Sequence, residues 1–264
     1  MRPWSTGLCA TNGVDLRYLR TGGGHPPVVL LHGLMGSGAC WTPLARALAD
    51  EFDVIMPDAR GHGGSSAPAT GYTYDDLADD AAGLIAALGL DRPVVLGHSM
   101  GGMTAAVVAS RPGAALRGVV LVDPTFLSPA RQREVYASDV ADQHRRALAT
   151  SRADLIVQAK ARSPQRALEL IELQADARLA TSPHALAVLA PPNPDYRARV
   201  SAIDVPCLLV IGDAPVVTPT MAAELQALNP RVRVAQIADA GHGLPFDQPA
   251  RLSEVVAAFL RALR

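Results

Sequence analysis

One pentapeptide limits this chain more than any other feature. Gly97-His98-Ser99-Met100-Gly101 fits G-x-S-x-G. It follows the apolar run Val94-Val95-Leu96 and opens a helical pattern over residues 100–110. A tight strand-to-helix turn of this kind holds a serine in a strained backbone conformation with its hydroxyl exposed. Glycines flank it because side chains there would collide with neighbouring backbone. The helix N-terminus behind it favours developing negative charge. Ser99 is therefore the expected nucleophile. The plainer alternative is a serine that caps a helix.

The rest of the chain supplies the sheet that such a turn needs. Asn12-Gly13 marks a tight hairpin between two short strands. Apolar strand patterns follow at 26–31, 53–57, 94–96, 118–122, 206–211 and 232–237. Helical patterns at 41–49, 74–88, 100–110 and 252–263 alternate with them. This rhythm predicts an α/β fold, a mostly parallel sheet with helices on both faces. Residues 124–200 break it. They contain no β run, and read as helices at 131–149, 153–161, 164–179 and 183–189. Ser163-Pro164 has the form of an N-cap followed by proline at the first helical position. Pro191-Pro192-Asn193-Pro194 reads as the exit linker. The expectation is a core of residues 1–125 and 201–264 interrupted by a helical insertion at 126–200.

Composition excludes several functions. Of 264 residues, 49% are hydrophobic and 19% charged, enough to bury a core and too few charges for a disordered chain. The net charge of −1 supplies no basic stripe for nucleic acid and no polybasic membrane anchor. Cys9, Cys40 and Cys207 are odd in number and lack C-x-x-C spacing, so they read as thiols in a reducing compartment. The opening residues, Met-Arg-Pro-Trp-Ser-Thr, lack the apolar run of a leader, and no run of about 18 apolar residues suggests a membrane span. A cytoplasmic protein is expected, with a small molecule as its partner. No pair of histidines has metal-ligand spacing, and no cofactor or metal is expected. The sequence does not address oligomeric state.

Four motifs in order resemble those of the α/β-hydrolase superfamily, and the resemblance spans nearly the whole chain. His32-Gly33-Leu34-Met35-Gly36-Ser37 is similar to its H-G-x oxyanion loop. Asp58-Ala59-Arg60-Gly61-His62-Gly63-Gly64-Ser65 is similar to its D-x-R-G-x-G-x-S segment. Gly97 to Gly102 resembles the nucleophile elbow, and Ala240-Gly241-His242-Gly243 the turn that carries the catalytic histidine. The resemblance implies an eight-stranded sheet, a helical cap inserted after the sixth strand, and a Ser–His–acid site. It implies His242 as the general base and the backbone N–H groups of Leu34 and Met100 as the oxyanion hole.

The acid departs from the family's commonest pattern. The family usually ends its next-to-last strand G-x-x-D, but this chain reads Gly212-Asp213-Ala214-Pro215. Asp123, at the end of the strand after the nucleophile helix, is the first choice. Asp213 is the second, and a site with no acid is the remaining option. Either aspartate preserves the order serine, acid, histidine.

The expected pocket is apolar, with Met35, Trp41, Phe126, Leu127 and Leu244 as lining residues beside Leu34 and Met100. Phe126 and Leu127 are expected to govern selectivity. Arg131, Arg133, Arg145 and Arg146 are open options for a carboxylate clamp. His98 reads as a packing residue, His32 and His62 as loop residues bonded to backbone, and Asp75, Asp76, Asp79 and Asp80 as solvated surface. The leading function is cofactor-independent hydrolysis of an ester or lactone of a small, largely apolar molecule. The alternatives are a non-hydrolytic enzyme on the same fold (eliminase, lyase, C–C bond hydrolase or cofactor-free oxygenase) and a silent binding protein.

Overall fold

The structure, a computed structural model, describes residues 4–264. Met1, Arg2 and Pro3, part of the opening stretch read for a leader, lie outside the described residues. Eight strands form one sheet in the order β1-β2-β4-β3-β5-β6-β7-β8. They are β1 Ser5–Thr11, β2 Val14–Arg20, β3 Pro27–Leu31, β4 Asp53–Pro57, β5 Val94–His98, β6 Gly118–Val122, β7 Cys207–Ile211 and β8 Val232–Gln236. β1 and β2 pair antiparallel, as do β2 and β4; the remaining pairs are parallel. The β1–β2 turn has positive φ at Asn12 and Gly13, as a two-residue hairpin twisted like its strands requires.

The parallel strands are apolar on both faces because helices cover both. β3 sends Val29 and Leu31 into one core, shared with α2 (Tyr74–Ala87) and α3 (Met100–Ala109). It sends Val28 and Leu30 into the other, shared with α1 (Thr42–Leu48) and α11 (Pro249–Arg261). β6 divides in the same way, Val119 and Leu121 against Val120 and Val122. α3 is buried on every side, which explains its lack of a polar face. The Thr73 and Asp76 side chains close a capping box at the start of α2. Asp80 is buried rather than solvated: both its oxygens bind Arg60, at 2.6 Å each.

Between β6 and β7 the chain runs through α4 (Pro129–Tyr136), α5 (Val140–Leu148), α6 (Arg152–Arg162), α7 (Leu168–Leu179), a 3-10 turn (Pro183–Leu189) and α8 (Tyr196–Ser201). Two sequence expectations fail here. The helix expected over 131–149 is two, because the Ser138 hydroxyl donates to the Val135 carbonyl and interrupts the ladder. Ser163 does not start a helix. Its N–H donates to the Ala159 carbonyl and ends α6, while Lys160 Nζ binds the Pro164 and Arg166 carbonyls across the following turn. α8, unforeseen in the sequence, packs on α3 and on α9 (Pro219–Leu228). A short α10 (Leu244–Asp247) precedes α11. Among the described residues no helix is long and apolar enough to cross a membrane.

Candidate active site

The site assembles where the parallel strands end. Ser99 follows β5 with φ 54°, and its hydroxyl is reached because the chain turns sharply into α3. The flanking glycines have a steric cause. A Cβ on Gly97 would overlap the Gly101 carbonyl oxygen, and one on Gly101 would overlap that of Leu31. The turn is therefore closed to larger residues.

His242 leaves the loop after β8. Its Nε2 lies 2.9 Å from Ser99 Oγ, and its Nδ1 lies 2.6 Å from Asp123 Oδ2. Asp123 follows β6 at φ 37° and is fully buried. Its two oxygens also accept the N–H groups of Val216 (3.0 Å) and Val217 (2.9 Å). The loop that carries Pro215 thus approaches Asp123 with backbone donors instead of a carboxylate. Asp213 faces elsewhere: it accepts Gln236 Nε2 at 3.1 Å and the Asp239 N–H at 2.7 Å, and is exposed. Of the two sequence options, only Asp123 contacts His242 among the described residues.

Leu34 and Met100 stand on either side of the turn. Neither backbone N–H has an acceptor among the described residues. The first amides of a helix lack intrahelical partners, which accounts for Met100. Leu34 is held by its neighbours: the Met35 N–H donates to His62 Nε2 at 3.2 Å, and the Gly36 N–H to the Gly33 carbonyl at 2.9 Å. Burial pushes the His62 imidazole down to about 3, so it remains the neutral acceptor that Met35 needs. His32 is held in the same way, accepting the Ala59 N–H at 2.9 Å, and burial lowers it too.

His98 does more than pack. Its Nε2–H donates to the His242 carbonyl at 2.8 Å, and the two rings lie 5.0 Å apart. Burial, then the charge His242 would carry, push His98 down to about 4. It anchors the turn that presents His242. The sequence hinted at this only through its adjacency to Ser99.

A cavity of ≈ 880 Å³ opens over Ser99 and His242. Leu34, Met35 and Trp41 line it as expected. Phe126, Leu127, Leu244 and the Met100 side chain do not. Phe126 is 1% exposed and stacks on Tyr196 at 5.0 Å, joining the two ends of the helical segment between β6 and β7. Leu244 is fully buried in the core beside α11. The lining is mixed rather than purely apolar. Arg146, Arg162, Arg166 and Arg178 border it, with three glutamines. Of the four arginines weighed from sequence, only Arg146 is among them.

The α/β-hydrolase fold family model matches residues 26–249. The chain belongs to the α/β-hydrolase family. It is 32% identical over 249 residues to the N-formylmaleamate deformylase of Pseudomonas putida, across 91% of each chain. The enol-lactonase of Burkholderia xenovorans superposes with a TM-score of 0.78 at 26% identity, over 97% of this chain and 100% of that one. An E-2-(acetamidomethylene)succinate hydrolase shares the fold, with a TM-score of 0.84 at 24% identity, over 98% and 100% of the two chains. These relatives are hydrolases.

Proposed function

We propose that this chain is a serine hydrolase that transfers the acyl group of a small ester, lactone or amide to water. The observation that carries the proposal is the continuous hydrogen-bonded line from Asp123 through His242 to Ser99. The names deformylase and enol-lactonase among its relatives favour an acyl C–N or C–O bond as the one cleaved.

Ser99 Oγ bonds the carbonyl carbon as its proton passes to His242 Nε2. Asp123 holds the Nδ1–H tautomer and stabilises the imidazolium that forms. The carbonyl electrons move to oxygen, facing the Leu34 and Met100 N–H groups, which need no reorganisation to receive it. Collapse breaks the bond to the leaving group, which takes the proton from His242. Water then repeats the sequence on the acyl-serine, again through His242, and releases the acid. In this reading residues 126–200 are a cap over the cavity, and 1–125 with 201–264 are the catalytic core.

The test pairs Ser99→Ala with a fluorophosphonate label. The variant should melt like wild type and lose on the order of 10⁴- to 10⁶-fold in kcat on methyl esters. Intact-mass and peptide analysis should place a single label on Ser99 of the wild type. Retention of more than roughly a tenth of the activity, or a label on another residue, would overturn the reading.

A further inference from the structure

The cavity wall contributed by the insertion has a chemistry that acyl transfer alone does not need. Arginines border the cavity, yet no aspartate or glutamate lines it. Arg166 is matched by Asp247 at 2.5 Å and by Gln174 Oε1 at 2.9 Å. Arg146 has a long, exposed contact to Asp139 at 3.3 Å. Arg162 and Arg178 have no carboxylate partner among the described residues. They also repel each other: after burial, the charge of Arg162 is what lowers the Arg178 guanidinium from its ordinary value.

Unpaired donors mark the same place. Among the described residues three buried side-chain atoms lack a hydrogen-bond partner: the donors Trp41 Nε1 and Arg178 Nε, and the acceptor His144 Nδ1, whose ring donates through Nε2 to the Thr181 carbonyl. Two of the three belong to residues that line this cavity. Trp41 is only 3% exposed and comes from the core; Arg178 comes from α7 in the insertion. A buried donor without an acceptor is costly, and a guanidinium without a counter-charge more so. Neither Trp41 Nε1 nor Arg178 Nε is itself exposed in the cavity, but the positive charges of Arg162 and Arg178 border it without a carboxylate, and a ligand that brings one would match them.

We infer that Arg162 and Arg178 form a carboxylate-binding subsite, and that the substrates are small acyl compounds carrying a free carboxylate. This rests on the serine hydrolase reading for the reaction, but not for the binding. A guanidinium fork matches the two oxygens of a carboxylate. An acidless cavity with unmatched positive charge draws anions in and rejects cations. Holding the anionic end at the insertion leaves the acyl carbon to be presented to Ser99 from the core. It replaces the expectation of a largely apolar substrate.

The test compares monomethyl succinate with methyl succinamate, which differ in one carboxylate-to-amide exchange. Wild type should favour the acid by about 10- to 100-fold in kcat/KM, the range of a charge-assisted hydrogen bond. Arg178→Gln and Arg162→Gln should each bring that ratio towards one, and Arg178→Lys should restore part of it. Arg131→Gln, on an exposed α4 arginine paired with Glu134, should leave the ratio at its wild-type value. A binding arm avoids turnover. Succinate should bind Ser99→Ala by calorimetry more tightly than succinamide or inorganic phosphate, more weakly at high salt, and not detectably once Arg178→Gln is added. Melting curves confirm that each variant is folded.

A wild-type ratio near one, a ratio indifferent to both arginines, or tighter binding of phosphate than of succinate would each overturn the subsite. If Ser99 takes the label but the acid is not preferred, the subsite fails and the serine chemistry stands. If Ser99→Ala still turns over, the chemistry fails while the calorimetry still decides the subsite.

Discussion

The sheet and the helical segment between β6 and β7, proposed above as an insertion, both line one cavity, and their polar groups are satisfied in opposite ways. On the sheet side nearly every buried polar group has a partner inside the protein. Asp123 fills its acceptor capacity with His242, Val216 and Val217. Asp58 does so with Arg17, Gly38 and Gly64. His32, His62 and His98 each bind backbone. On the insertion side Arg162 and Arg178 face the cavity without counter-charges. The difference separates two tasks. Chemistry on a transition state needs groups fixed before the substrate arrives. Recognition of an anion can leave its donors waiting, because the ligand supplies the acceptor.

After Ser99→Ala, the largest expected effect again tests the sheet side. Asp123→Asn should cost about 10⁴-fold in kcat, because it removes the charge that stabilises the imidazolium and the acceptor that fixes its tautomer. Asp213→Asn should stay within about tenfold, since Asp213 only ties the β7 and β8 loops together. Both are read from steady-state kinetics, with melting curves to exclude unfolding. An inactive Asp213→Asn beside a working Asp123→Asn would mean that the loop rearranges in solution and that the described contact is not the functional one.

The contrast between the regions also decides what could be read in the sequence. Gly97, Ser99 and Gly101 were legible because a strained turn admits few residue types, and the reason for each is local. The strands were legible because burial on both faces demands unbroken apolar runs. Asp123 was legible only in part. Pro215 showed that the usual acid was missing, but the donors replacing it, the Val216 and Val217 N–H groups, belong to a backbone 93 and 94 residues away. Arg162 and Arg178 left no local trace. Their helices tolerate arginine anywhere on a polar face, so which ones border the cavity depends on how α5, α6 and α7 pack. Phe126 misled for a related reason. Its place in the chain suggested a pocket wall, but its partner, Tyr196, lies at the far end of the insertion.

Phe126 provides the intermediate effect. Phe126→Ala should destabilise the protein by about 3–5 kcal/mol, the usual cost of emptying a buried aromatic site. Its stack with Tyr196 closes the base of the insertion, so thermal melting should register the loss. Preference across a panel of esters should change little, because the side chain is buried away from the cavity. A shifted preference at unchanged melting temperature would place Phe126 on the cavity wall and blur the boundary between the two regions.

The smallest effect concerns pH and belongs to the sheet side. His62 is pushed down to about 3 and His98 to about 4, with burial the largest cause in both. In the unfolded chain an imidazole titrates near about 6.5. Above that pH both states are neutral, and their contribution to stability is complete. As pH falls through about 6.5 the unfolded chain takes up protons that the folded chain refuses, so stability declines until the folded values are reached. By pH 5 each such imidazole should account for about 1–2 kcal/mol of lost stability. His62→Gln removes one of them. A glutamine carbonyl can still accept the Met35 N–H, so the loop keeps its bond while the titration disappears. Melting temperatures at pH 7.5 and pH 5.0 should therefore converge in the variant relative to wild type. Equal declines in the two proteins would show that His62 already takes up its proton in the folded state, and that the loop carrying Leu34 and Met35 is held by something other than a neutral imidazole.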